Sequence, residues 1–156
     1  MHTTKNMLPD NSRQAVIDML QTHLVASLDL ASQAKQAHWN IKGTSFIALH
    51  ELFDTIHTET MDQADMLAER LVILGGQTKA TVRATAAQTG LTEYPLDASD
   101  QADHVEAFSS ALAEFGGAVR KAIGEAEDIG DAVTADLLTE ITRAVDKSLW
   151  FVEAHR

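Results

Sequence analysis

Residues 44–76 read TSFIALHELFDTIHTETMDQADMLAERLVILGG, and this stretch decides the fold. Ile47, Leu49, Leu52, Phe53, Ile56, Met61, Met66, Leu67, Leu71 and Leu74 recur at three- and four-residue steps. That period predicts one helix of about eight turns, started by Thr44-Ser45 and stopped by Gly75-Gly76. The same helix carries His50, Asp54, Asp65 and Glu69 as two pairs, each spaced i, i+4 and so sharing a face. Asp54 and Asp65 are eleven steps apart, only about 20° around the axis, so all four side chains fall in one stripe.

Outward from this run, the pattern predicts three more long helices. The first starts after the Asp10-Asn11-Ser12 cap, carries Val16, Met19, Leu20, Leu24, Leu28 and Leu30, and ends near Trp39-Asn40 before Gly43. Residues 77–101 turn to Thr, Ala and Gln, with Gly90 and Tyr94-Pro95 as turn signals, which predicts a short helix within a long crossover. The third helix spans about 102–125, with Gly116-Gly117 marking a weak point or a close approach. The last runs from about Val133 to the C-terminus. Four long helices with one long crossover between the second and third predict an all-α, ferritin-like four-helix bundle at residues 12–156, preceded by a short flexible tail at 1–11.

Composition agrees with one globular domain and narrows the partners. The chain has 156 residues, 45% hydrophobic and 22% charged, enough to bury a core without disulfides. Cysteine is absent, which excludes thiolate metal sites and a cysteine nucleophile. Twelve Lys and Arg against 23 Asp and Glu give a net charge of −11, so phosphate backbones are repelled and cations attracted. No signal peptide precedes Pro9, and no apolar run approaches the ~20 residues that span a bilayer, so the expected location is the cytoplasm.

The two ligand pairs cannot share an ion within one straight helix, because eleven residues separate Asp54 from Asp65 by roughly 16 Å. An antiparallel second copy about a two-fold axis resolves this. Pairing His50 with the partner's Glu69, and Asp54 with the partner's Asp65, uses the same axis, midway between Glu59 and Thr60. Two equivalent sites then form across one interface. His38, separated from His50 by the Asn40-Ile41-Lys42-Gly43-Thr44 turn, folds back to add a second imidazole. Two histidines and three carboxylates suit iron(II), manganese or zinc. Taken singly, each pair is also what a solvated helix face looks like, but acids in a stripe with His57 and Met61 need a compensating cation once buried.

Other chemistries fail on spacing. His50-Glu51-Leu52-Phe53-Asp54 opens like a zinc-protease motif but lacks the second histidine, and there is no Walker A, G-x-G-x-x-G or G-x-S-x-G segment. At Ala37-His38-Trp39-Asn40, Phe46 to Asp54, Asp65-Met66-Leu67-Ala68-Glu69-Arg70 and Asp146-Lys147-Ser148-Leu149-Trp150-Phe151, the chain resembles the Dps family, the miniferritins. The resemblance covers about Ser12 to Glu153.

That resemblance implies a hollow homododecamer that oxidises iron(II), with hydrogen peroxide as the usual oxidant, and stores an iron(III) mineral, protecting against oxidative damage. It assigns the ferroxidase ligands to His38, His50, Asp54, Asp65 and Glu69 at a two-fold interface, with up to two iron ions per site and no organic cofactor. Trp39 reads as a packing residue or an electron relay beside the site. Asp131, Asp136 and Glu140 stand where the family's acids line iron-entry pores, although acids near a helix start are also explained by the helix dipole. Many relatives compact DNA through lysine-rich tails. Here only Lys5 and His2 precede Ser12, and the chain ends Glu153-Ala154-His155-Arg156, so DNA binding is expected to be weak.

Overall fold

The computed structural model describes residues 1–156. It contains five helices and no strand: α1 Asp10–Asn40, α2 Phe46–Ile73, α3 Val82–Gln88, α4 Gln101–Ile129 and α5 Ala132–Glu153. The four long helices form a bundle with α3 in the crossover between the second and third of them, as the hydrophobic period predicts. No helix is long and apolar enough to cross a membrane.

α1 begins at Asp10, three residues earlier than the sequence cap suggests, with Pro9 before it. Proline is well suited to a helix entry, since its fixed φ costs nothing there. Asp10 serves instead as the first-turn acid, paired with Arg13. Arg13 in turn donates to the carbonyl of Leu74, 3.1 Å away, satisfying an orphan acceptor at the end of α2. The first residues also fold back here, because the amide of His2 donates to the carbonyl of Gly75 at 2.7 Å. Gly75 has φ +95°, the left-handed turn that stops α2.

Helices α1 and α2 form one antiparallel pair and α4 and α5 another, with α1 beside α4 and α2 beside α5. Ser45 and His155 both bond to Gln101, so the start of α4 lies with the start of α2 and the end of α5. The Arg70–Asp131 contact joins the opposite ends. α4 therefore runs parallel to α2, and the crossover must travel the length of the bundle. It does so along α1, held by Gln21 to Lys79 in both directions, Thr89 to Asp29 and Gln33 to Thr92.

The core is one cluster of apolar side chains from all four long helices. Phe53 of α2 meets Phe108 of α4 edge to face, with centroids 5.3 Å apart. Asp100 and Asp103 close a reciprocal capping box at the start of α4, a device that contributes about 1 kcal/mol. Gly116 marks a close approach: a Cβ there would sit 3.0 Å from Val145 of α5, whereas Gly117 has open space beside it.

Candidate metal centre

The end of α1 and the start of α2 bring His38 and His50 together. Their rings stack with centroids 3.7 Å apart and planes 22° from parallel. Nδ1 of His38 lies 2.7 Å from the carbonyl of His50, and Nδ1 of His50 lies 2.8 Å from the carbonyl of His38. A carbonyl only accepts, so both Nδ1 atoms carry a proton, and in the neutral imidazole each Nε2 is then the lone-pair donor. This is how a metal-ligating imidazole is usually held, its second nitrogen fixed by a backbone acceptor.

Asp54, one turn along α2, opens onto the same recess as the two histidines, together with Glu51, Thr55 and Thr58. Its carboxylate is ion-paired with Lys35 of α1. That hydrogen bond holds the Asp54 carboxyl below its ordinary range. Lys35 was not among the residues the sequence singled out. The signal was present, since Lys35 stands one turn before His38 on α1, but its partner is set by how α1 packs on α2. His57 continues the arrangement, with Nδ1 2.9 Å from the carbonyl of Ala31.

Asp65 and Glu69 lie exposed farther along α2, away from the two histidines. Within one chain, no three His, Asp or Glu side chains converge to hold an ion. The structure thus brings three of the five residues, His38, His50 and Asp54, to one recess and leaves two outside it. Trp39 is 69% exposed, so it is not core packing within its own chain. It borders a groove between α1 and the crossover, shared with Leu28, Leu91 and Tyr94.

Asp131 departs from the pore expectation. It is 4% exposed and caps α5, receiving Thr134 N–H at 3.2 Å and Thr134 Oγ1 at 2.5 Å. The Arg70 guanidinium donates to both carboxylate oxygens, at 2.8 and 3.0 Å. Burial pushes this carboxyl up, but the bonds from Thr134 and Arg70 outweigh it and hold it below its ordinary range. Both oxygens are consumed inside the subunit, so Asp131 is a cap and ion-pair partner rather than a pore-lining acid. Asp136 and Glu140 remain exposed on α5.

A helical bundle of this connectivity, with histidine and carboxylate on facing helices, defines a ferritin-like protein, and the family model described as a ferritin-like domain matches residues 17–156. Among curated relatives, the DNA protection during starvation protein of Agrobacterium fabrum is 45% identical over 154 residues, covering 99% of this chain and 95% of its own. Mycobacterium smegmatis Dps superposes with a TM-score of 0.94 at 32% identity, covering 99% of this chain and 88% of that one. Streptomyces coelicolor DpsA14 gives 0.92 at 33% identity, covering 97% and 90%. The chain belongs to the Dps family.

Proposed function

We propose that this protein oxidises iron(II), with hydrogen peroxide as the oxidant, at sites shared between two-fold related copies, and stores the product as iron(III) mineral inside a hollow homododecamer. The observation that carries this reading is the crossed His38–His50 pair, which fixes both rings and leaves two Nε2 lone pairs beside the Asp54 carboxylate. Imidazole and carboxylate are donors suited to iron(II), which is the substrate here. Asp65 and Glu69 of a second copy complete the set. The exposed apolar residues Ile47, Met61 and Val72 on α2 favour a partner on that helix.

In this reading one peroxide takes two electrons from two iron(II) ions and, with two protons, yields two waters. Pairing the electrons suppresses the one-electron route to hydroxyl radical. His38 and His50 bind, Asp54 exchanges Lys35 for the incoming cation, and the two partner acids balance its charge. Asp136 and Glu140 act as entry acids, because exposed carboxylates concentrate cations at an opening. The protein works in the cytoplasm. DNA is shielded mainly by removal of iron and peroxide, since the acidic chain and its arm with a single lysine bind nucleic acid weakly at physiological salt.

The test is to load apo-protein anaerobically with iron(II), add peroxide, and follow iron(III) absorbance and radical trapping beside His50→Ala/Asp54→Ala. Fast oxidation with few radicals, lost in the variant, supports the reading. Behaviour no different from buffer removes it. A gel shift at physiological salt tests the nucleic-acid clause, where compact saturable complexes at low protein concentration count against it.

A further inference from the structure

Asp54 has a histidine on each side of it along α2, His50 four residues before and His57 three residues after. At those spacings all three side chains share one face of the helix. His57 is half-buried against α1, and its Nδ1 lies 2.9 Å from the carbonyl of Ala31. A carbonyl only accepts, so Nδ1 carries a proton, and in the neutral ring Nε2 is the lone-pair donor. That nitrogen makes no hydrogen bond within the chain and is not sealed from solvent.

Stapling α1 to α2 explains Nδ1 but not Nε2. Ala31 lies well inside α1, so its carbonyl is no orphan acceptor in need of an imidazole. The ring is held as His38 and His50 are held, by a main-chain acceptor that leaves the second nitrogen for another partner. An acid stands beside it. Lys35, which pairs with Asp54, is one turn from Ala31 on α1, so the two contacts are adjacent rungs of one seam. The Asp54 carboxyl is held below its ordinary range first by the Lys35 hydrogen bond and further by the charges of Lys35, His38 and His57. His57 does not line the recess that His38, His50 and Asp54 share, so a cation on its Nε2 occupies the other flank of the carboxylate.

We propose that Asp54 and His57 form a divalent-cation position of their own, on the flank of Asp54 opposite His50, with His57 a ligand additional to the five residues named above. A carboxylate and an imidazole three residues apart are presented to one ion by a single helix face. Imidazole, carboxylate and water select iron(II), cobalt(II) or zinc(II) over magnesium and calcium, which take oxygen donors. Lys35 neutralises Asp54 until a cation takes its place. With two protein ligands the position binds more weakly than the five-residue set and fills after it. In the proposed function it holds an incoming iron(II) beside the oxidation site, and because Asp54 is common to both, the ion moves on by exchanging one imidazole for two. That use rests on the proposed iron chemistry, whereas the cation position does not.

Anaerobic titration of the assembled apo-protein with cobalt(II), by calorimetry and visible absorbance, counts the ions. His57→Asn is the informative variant, because the side-chain amide keeps a donor for the Ala31 carbonyl while Nε2 is lost; His57→Gln serves as the second and is expected to behave alike. Wild type is expected to bind one more cobalt(II) per chain than either variant, in the weaker phase, and zinc(II) but not magnesium is expected to displace it. His50→Ala is expected to weaken the tighter phase and keep the other, and Asp54→Asn to lose both. Equal numbers of ions at equal affinities in wild type and in folded His57→Asn and His57→Gln overturn the site, as does an Asp54→Asn protein that retains the weaker phase. Wild type that binds the extra ion but oxidises no iron(II) with peroxide removes the proposed function and leaves the site standing. Wild type that oxidises iron(II) with the same ion count as His57→Asn does the reverse.

Discussion

His38 and His50 hold each other: each donates its Nδ1–H to the other's backbone carbonyl, at 2.7 and 2.8 Å, across twelve residues of chain. The pair is therefore both a staple at the α1–α2 corner and a presentation of two nitrogen donors. Replacing either histidine removes one donor and unpins the other. His38→Ala and His50→Ala are each expected to weaken iron(II) binding by at least tenfold to a hundredfold, the range for loss of a ligand's support alone. Anaerobic titration by calorimetry, with cobalt(II) as a spectroscopic reporter, measures this. Equal affinity in His38→Ala and wild type would remove His38 from the site.

In the proposed function, Lys35, ion-paired with Asp54, competes with metal for that carboxylate. Lys35→Met frees the carboxylate and is expected to tighten divalent-ion binding severalfold, with the opposite sign from the histidine variants. The sign of the pH effect on the apo-protein follows from the same pair. Asp54 has a folded pKa below its unfolded value, chiefly through the Lys35 hydrogen bond. Its contribution is present above the unfolded carboxyl pKa, about 3.9, and is lost as pH falls through the depressed folded value. Any stability gap between wild type and Lys35→Met should therefore be constant near neutrality and close in acid, as urea unfolding across pH reads directly.

The stripe on α2 was legible in the sequence because helical period alone fixes which residues share a face. His50, Asp54, Asp65 and Glu69 needed nothing else, and the turn at residues 40–44 was short enough to return His38. What period cannot give is which way a neighbouring helix is turned. Lys35 reaches Asp54 only because α1 packs on α2 in one rotation. Asp131 failed for a different reason: an acid at a helix start satisfies backbone N–H groups whether it faces a pore or the interior, and only Arg70, sixty-one positions away, decides between them. Asp65 and Glu69 stay apart from His50 because they stand fifteen and nineteen positions farther along one helix, so all five residues can meet at one ion only if a second copy supplies two of them.

The cap and ion pair at Asp131 set its expected energetics. Asp131→Ala leaves the buried Arg70 charge uncompensated and removes the α5 cap, costing about 3–5 kcal/mol for the broken pair alone. Asp131→Asn retains the cap acceptor and should cost less. Asp136→Ala/Glu140→Ala is expected to do the reverse, slowing iron uptake at nearly unchanged stability. Chemical denaturation beside stopped-flow iron oxidation tells the two apart, and a stable, slow-loading Asp131→Ala protein would restore it to an entry role.

His23 adds a milder acid sensitivity. It is 7% exposed on α1, and burial pushes its pKa down against the raising influence of Glu125. A histidine with a depressed folded pKa stabilises fully above its unfolded value, about 6.5, and loses that contribution as pH falls through the folded one. Stability of the apo-protein should therefore begin to decline below about pH 6.5, before any carboxylate titrates. His23→Leu is expected to flatten that part of the curve, which thermal unfolding from pH 7.5 to 5 would show; an identical slope would place the sensitivity in another group.

Adjacent glycines on α4 offer a test of the packing with opposite signs. Gly117 is exposed with nothing within 4 Å of a Cβ, so Gly117→Ala exchanges a poor helix former for the best one. That change should stabilise by about 0.5–1 kcal/mol. Gly116 faces Val145 of α5, where a Cβ would meet Cγ1 at 3.0 Å and a branched side chain would go further into it. Gly116→Val is therefore expected to cost about 1–3 kcal/mol through overpacking, since Val145 is itself buried and α4 cannot move without disturbing α5. Urea unfolding of the two variants measures both. If Gly116→Val were neutral, the α4–α5 spacing would have to be looser than this, and the second mutation Val145→Ala would then bring no recovery; with the spacing as found, Val145→Ala should restore much of what Gly116→Val loses.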